Sequence, residues 1–264
     1  MFIEHGNARI FAAAFGSRTA PTILALGGWI GTWEDWIETL SLLSEDRRVI
    51  AFDHRGSGLT TAPIESITID TLIDDVFAVM EAFDVERCSL AAMSMGVSIA
   101  LGAALRHPGR ITDLILVDSL DLRTPSPPLQ VDDRFLQGLT HDYARTLEGF
   151  IQLCVPESGM EHIKEWGRHI LRRASPEAAI ALYQLSKTIR LEPMLPHVRQ
   201  PALILHGDAD PLASIDSAEW LARTLPKAKL QIISGAGHVP IMTRPDEVAA
   251  HIRTFLAPRN ADSG

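Results

Sequence analysis

The chain has 264 residues, 46% hydrophobic and 22% charged, which is enough apolar material for a sizeable buried core and excludes a disordered protein. A formal net charge of −9 with no clustered basic stripe excludes a nucleic-acid surface and leaves the acidity to serve solubility. Two cysteines, Cys88 and Cys154, cannot make a disulfide framework and read as reduced, buried hydrophobes, so the expected location is the cytoplasm.

The first stretch, MFIEHGNARIFAAAFG, lacks a basic leader region and reads as a strand hairpin turning at His5-Gly6-Asn7 rather than as a signal peptide. No run is long enough to span a bilayer, and no membrane partner is expected. Six apolar runs of strand length follow: TILALGG (22–28), RVIAFD (48–53), RCSLAAM (87–93), ITDLILVD (111–118), PALILHG (201–207) and KLQIISG (229–235). They are continuous rather than alternating, the pattern of strands buried on both faces of a parallel sheet. Helical patterns separate them at 32–45, 68–83, 95–107, 214–225 and 244–256. Thr32 with Asp35 makes a capping-box start, and His107-Pro108-Gly109 a stop. Alternating strands and helices predict an α/β sheet with right-handed crossovers.

Between Asp118 and Pro201 the alternation breaks. PSPP (125–128) marks the exit, and helical stripes follow: Tyr143, Leu147, Phe150, Ile151 and Cys154, then Met160, Ile163, Gly167, Ile170 and Leu171. A third helix begins at Ser175-Pro176, where proline suits the first turn. This predicts a helical lid at 121–196 between two parts of one core, 1–120 and 197–258, with 259–264 as a tail.

In open α/β sheets, ligands sit at the carboxyl ends of the strands. Three polar residues fall there: Ser94 after RCSLAAM, Asp210 in GDADPL after PALILHG, and His238 in GAGHVP after KLQIISG. A serine hydroxyl becomes a nucleophile only when a base takes its proton, and imidazole, with an ordinary pKa near ~6.5, can take it and return it. A carboxylate on the other ring nitrogen fixes the tautomer and stabilises the imidazolium. The order Ser, Asp, His is the one that accompanies a nucleophile elbow, a sharp strand-to-helix turn that lifts the serine clear of the sheet. Such a turn needs tiny neighbours, and Ala92-Met93-Ser94-Met95-Gly96 supplies them with Ala in place of the usual leading Gly. The helix start offers the Met95 N–H to an oxyanion, and the loop LGGWIGTW offers a second donor, the Trp29 N–H.

These segments carry a resemblance. LGGWIGTWEDW, FDHRGSGLT, AMSMG, LILHGDADPL and GAGHVP, in this order, make the chain similar to α/β-hydrolase-fold serine hydrolases over residues 1–258. Among these it most resembles small esterases such as pimeloyl-carrier-protein methyl esterases and 3-oxoadipate enol-lactonases. The resemblance implies a mostly parallel eight-stranded sheet flanked by helices, with the lid inserted after the sixth strand. It implies hydrolysis of a small to medium, largely apolar carboxylic ester or lactone through an acyl-enzyme on Ser94, without cofactor or metal. Gly28, Trp29, Met95, Tyr143, Trp166, Leu212 and Val239 are the expected pocket residues. The partner is a small-molecule ester, and the chain is expected as a monomer or homodimer. Two positions depart from the family pattern: Gly27, where a His usually braces the loop, and Ala92.

Asp208 braces its own turn, and Asp118 is the rival acid, since some family members place the acid there. Asp53-His54-Arg55-Gly56-Ser57-Gly58 is expected to be a structural turn below the site. Gly27-Gly28-Trp29-Ile30-Gly31 is not GxGxxG, and His162 and His169 lack metal-ligand spacing. Within the fold, C–C bond hydrolysis, perhydrolysis, cofactor-free dioxygenation and slow-turnover ligand reception remain open; a serine at position 94 argues against the aspartate-nucleophile dehalogenases and epoxide hydrolases.

Overall fold

A computed structural model describes residues 1–123 and 133–258; the PSPP stretch and the 259–264 tail lie outside them. Strands β1 (Phe2–His5), β2 (Ala8–Phe15), β3 (Thr22–Leu26), β4 (Arg48–Phe52), β5 (Cys88–Met93), β6 (Ile111–Val117), β7 (Ala202–Gly207) and β8 (Ala228–Ile233) form one sheet. Their order is β1-β2-β4-β3-β5-β6-β7-β8, antiparallel at β1–β2 and β2–β4 and parallel from β4 onward. Around it run α1 (Ile37–Leu43), α2 (Ile69–Ala82), α3 (Gly96–Arg106), α4 (Arg134–His141), α5 (Tyr143–Cys154), α6 (Glu161–Leu171), α7 (Pro176–Ser186), α8 (Ile215–Thr224), α9 (Pro240–Thr243) and α10 (Pro245–Leu256). Among the described residues no helix is long and apolar enough to cross a membrane.

The continuous apolar runs do what their pattern predicts. Successive side chains of a strand point to opposite faces, so Leu24, Leu26, Ile50 and Phe52 pack into one layer with Val76, Met80 and Ala100. Ile23, Ala25, Val49 and Ala51 pack into the other with Leu40, Leu43, Val248 and Ile252. Burying each Leu or Ile side chain stabilises by about 1.5–3 kcal/mol, and every residue of β4 and β5 is buried. β8 departs from the expectation: as the edge strand beyond β7 it leaves Lys229, Gln231 and Ile232 exposed.

The predicted capping box is formed, with Thr32 and Asp35 bonded reciprocally, but the helix expected over 32–45 splits into a 3-10 turn, Trp33–Trp36, and α1. α4 and α9 are additional elements, of eight and four residues, too short for a clear periodicity in the sequence. α4 to α7 lie between β6 and β7, as the lid expectation requires, and Ser175 caps α7 with Pro176 in its first turn.

Candidate active site

β5 ends at Met93 and α3 begins at Gly96, so Ser94 occupies the turn between them with φ of 53°. A left-handed backbone costs a residue with a Cβ on the order of 1–3 kcal/mol and persists only where surroundings enforce it. Here the Ser94 N–H donates to Val117 O of the neighbouring strand at 2.9 Å, and Ser94 O accepts from Val97 N–H at 3.0 Å. A Cβ at Gly96 would collide with the carbonyl oxygen of Gly27, which explains a glycine at the head of α3. Ala92, the departure from Gly, is fully buried opposite Leu26 and Leu116, and its methyl is absorbed in the core layer shared with α3.

The elbow points Ser94 at the other two loops. Ser94 Oγ lies 2.9 Å from His238 Nε2, and His238 Nδ1 lies 2.7 Å from Asp210 Oδ2. A carboxylate only accepts, so Nδ1–H donates to Asp210 and Nε2 keeps the lone pair that receives the Ser94 hydroxyl. Asp210 is fixed in turn: its Oδ1 accepts the Leu212 and Ala213 N–H groups at 2.7 and 3.2 Å. The lid holds the histidine loop, since His238 N–H donates to Cys154 O at 2.9 Å and Gly237 N–H to Glu157 Oε1 at 2.9 Å. Burial pushes the His238 pKa down, but the Asp210 hydrogen bond and charge, with the Asp118 charge, outweigh it and leave the pKa raised.

Asp118, the rival acid, sits at the end of β6 with φ of 44° and has another partner. Its Oδ1 accepts Gly207 N–H at 2.9 Å and lies 3.2 Å from His206 Nδ1. Burial raises Asp118 to about 8 and lowers His206. His206 Nε2–H donates to Ala213 O at 3.1 Å, so this pair buttresses the turn that carries Asp210. Asp118, His206 and Asp210 offer ligand atoms within 4.8 Å of one another, a convergence the sequence does not reveal. The Asp210 oxygens are nevertheless taken by His238 and two amides, so the cluster reads as bracing.

The loop after β3 carries the predicted oxyanion donor. Among the described residues neither the Trp29 nor the Met95 amide N–H donates to a protein acceptor. His54, read from the sequence as a turn residue without chemistry, reaches this loop: its Nε2 lies 2.8 Å from Gly28 O and its Nδ1 2.9 Å from Arg55 O, both carbonyl acceptors. Asp35 supplies the rest of the brace that a His at position 27 would otherwise provide. A Cβ at Gly27 would stand 2.7 Å from Asp35 Oδ2, and one at Gly31 would collide with it. The carboxyl thus fills the room beneath both glycines and accepts Thr32 N–H at 3.1 Å. Sequence spacing identifies Asp35 as a cap; only the tertiary path of the loop places it in the site.

Two cavities meet at Ser94. The inner one, about 60 Å³, is walled by the 28–31 loop, Asp35, Met93, Ile163, Ile170 and Val239. The outer one, about 440 Å³, opens under the lid between Met95, Leu122, Phe135, Tyr183 and Leu212. Of the expected pocket residues, Gly28 and Val239 line the inner cavity, Met95 and Leu212 the outer, and Trp29 both. Tyr143 and Trp166 line neither, which corrects the sequence expectation. The Tyr143 hydroxyl donates to Ala174 O at 3.1 Å, and Trp166 packs against the second core layer; the stripe of a lid helix does not say which of its rings faces a cavity and which its neighbours.

A mostly parallel sheet, a strained serine elbow, and Asp and His loops after the last two strands define the chain as a member of the α/β hydrolase fold family, whose model matches residues 21–156. The chain is 29% identical to the pimeloyl-[acyl-carrier protein] methyl ester esterase of Nitrosomonas europaea, over 86% of this chain and 92% of that protein. It shares its fold with the enol-lactonase of Burkholderia xenovorans LB400 (TM-score 0.89, 22% identity, 98% and 100% of the two chains). An esterase from Exiguobacterium antarcticum matches equally well in fold (TM-score 0.89, 22% identity, 97% and 99% coverage).

Proposed function

We propose that the protein is a serine hydrolase that cleaves a small to medium, largely apolar carboxylic ester or lactone through an acyl-enzyme on Ser94. The observation that carries this reading is the unbroken hydrogen-bonded line Ser94–His238–Asp210, at 2.9 and 2.7 Å, at the junction of two mostly apolar cavities. Ser94 Oγ attacks the ester carbonyl as its proton passes to His238 Nε2. The negative oxygen that forms is held by the Trp29 and Met95 N–H groups; removing one such donor typically costs about 10²–10³ in rate. Collapse breaks the C–O bond, and the imidazolium returns its proton to the departing alcohol. Water then enters, loses a proton to His238 and attacks the acyl carbon, releasing the acid and restoring the Ser94 hydroxyl. Esterase relatives and the apolar linings support an ester over a charged substrate.

The test is hydrolysis of p-nitrophenyl esters of graded chain length by wild type and Ser94→Ala, with mass detection of a phosphonate adduct on Ser94. Turnover that disappears in Ser94→Ala, together with the adduct, is expected. Wild type no faster than the variant on every ester would overturn the reading and direct attention to C–C bond cleavage or ligand reception.

A further inference from the structure

The inner cavity holds one acidic group that the proposed chemistry does not use. Asp35 is 6 % exposed and lines the cavity together with Ser94, in a wall that is otherwise mostly apolar. Its Oδ2 accepts Thr32 N–H, and among the described residues no ion pair reaches it. We propose that Asp35 is a specificity-determining residue whose protonated Oδ1 donates a hydrogen bond to an acceptor oxygen carried on the acyl chain of the substrate. The substrate class would then be an ester whose short acyl group bears a keto, hydroxyl or further ester oxygen, rather than a plain alkanoate. This rests on the serine hydrolase reading above.

Three considerations lead there. The first is protonation. Burial and the Asp53 and Glu34 charges raise Asp35 to about 8 against the lowering by Thr32 N–H, so at pH 7 it is a carboxylic acid with a proton to donate. The second is direction. With Oδ2 taken by the Thr32 amide beneath Gly27 and Gly31, the other oxygen is the one left for the cavity. The third is size. At roughly 10–15 Å³ for each water-sized body, the cavity of about 60 Å³ accommodates about four to six such bodies, a branched acyl chain of up to six carbons but not an aryl alcohol. The aryl group of a test ester therefore belongs in the outer cavity, and the acyl chain beside Asp35.

The experiment compares two isosteric esters, p-nitrophenyl 4-oxopentanoate and p-nitrophenyl 4-methylpentanoate, in which a carbonyl oxygen replaces a methyl. Wild type should prefer the oxo ester in kcat/KM by about tenfold at pH 7, the scale of one well-made hydrogen bond. Asp35→Asn, whose amide also donates, should keep the preference, and Asp35→Leu should lose it. The preference of wild type should also fall as pH passes about 8, while that of Asp35→Asn stays flat. The other titratable groups near Asp35 are Glu34 (paired with Arg173), Asp53, the Cys154 thiol and His238 across the cavity. Their effects on the triad act on both esters and cancel in the ratio. No preference in wild type, or one that survives in Asp35→Leu, would overturn the proposal while leaving the hydrolase reading intact. Should neither ester be turned over, calorimetric binding of 4-oxopentanamide against 4-methylpentanamide makes the same comparison, and equal affinity in wild type and Asp35→Leu overturns it.

Discussion

The Trp29 indole N–H donates to the carbonyl of Ala179 at 2.8 Å, joining the loop after β3 to α7 of the lid. The ring is also the hub of an aromatic cluster, with Phe135 at 5.3 Å, Phe150 at 5.2 Å and Tyr183 at 6.5 Å between centroids. The residue whose backbone amide is assigned to the oxyanion therefore carries the lid on its side chain. Trp29→Phe keeps much of the ring packing and deletes the donor, leaving Ala179 O unpaired. Steady-state kinetics should show KM for bulky esters rising about 5–10-fold, the effect of about 1–1.5 kcal/mol, with kcat on a short ester changed less. Faster amide exchange in α7 should accompany it. Unchanged KM with unchanged exchange would mean that the lid is held without this bond.

The two acids near the histidine separate in the same assay. Asp210 bonds the imidazole, whereas Asp118 accepts Gly207 N–H beside His206. Asp210→Asn should lower kcat by about 10³–10⁴, because the wrong tautomer is presented to the serine. Asp118→Asn, which keeps an oxygen for Gly207, should cost less than about tenfold. The reverse ranking would reassign the acid.

A pH profile tests the electrostatics directly. Catalysis needs neutral His238, and its pKa is raised from the ordinary 6.5 by Asp210 and Asp118 against burial. The acid limb of kcat/KM for wild type should therefore fall above pH 6.5, with activity lost as the pH drops through it. In Asp210→Asn the largest raising contributions vanish while burial remains, so the residual activity should persist to lower pH.

These residues were not equally legible in the chain. Continuous apolar runs fixed β3 to β7 to within two residues, because strands buried on both faces cannot hide their pattern. Ser94, Asp210 and His238 could be read because each follows a strand and sits in a loop whose small residues announce a tight turn. Asp35 and His54 could not. Each reaches the loop at 27–31 only through the packing of β3 against the following turn and β4, and nothing local marks the side chains that will face it. Tyr143 and Trp166 failed for a related reason: helical periodicity identifies a stripe, but in a lid both faces of a helix have apolar neighbours.

The brace that His54 gives to Gly28 should be measurable apart from binding. His54 is fully buried, and its Nε2 stands 2.8 Å from the carbonyl oxygen of Gly28, the residue preceding Trp29. In His54→Ala that carbonyl loses the imidazole packed against it and the peptide carrying the Trp29 amide is free to rotate. The expected result is a 10–100-fold fall in kcat on short esters, roughly the loss of part of one oxyanion donor, with KM nearly constant. A phosphonate, whose charged oxygen sits where the tetrahedral oxyanion forms, should react with Ser94 more slowly by a similar factor. A rise in KM with kcat unchanged would assign His54 to substrate binding instead.

Asp35 also makes a prediction about stability, with a sign fixed by proton uptake. Its pKa is about 8 folded against an ordinary value of 3.8, so between these limits the folded chain holds a proton that the unfolded chain has released. This contribution makes stability fall as pH rises from about 4 to about 8, then level off once both states are ionised. Asp35→Asn keeps an oxygen for Thr32 N–H and has nothing to ionise. Its Tm relative to wild type should therefore increase steadily with pH across that window, exceeding the difference at pH 4 by more than about 2 °C at pH 8, and stay constant above it. Scanning calorimetry of the pair at pH 4, 6, 8 and 9 measures the trend. A difference independent of pH would mean that the carboxyl is ionised beneath Gly27 and Gly31, and that the folded site stabilises a charge where the surrounding geometry offers only one amide to hold it.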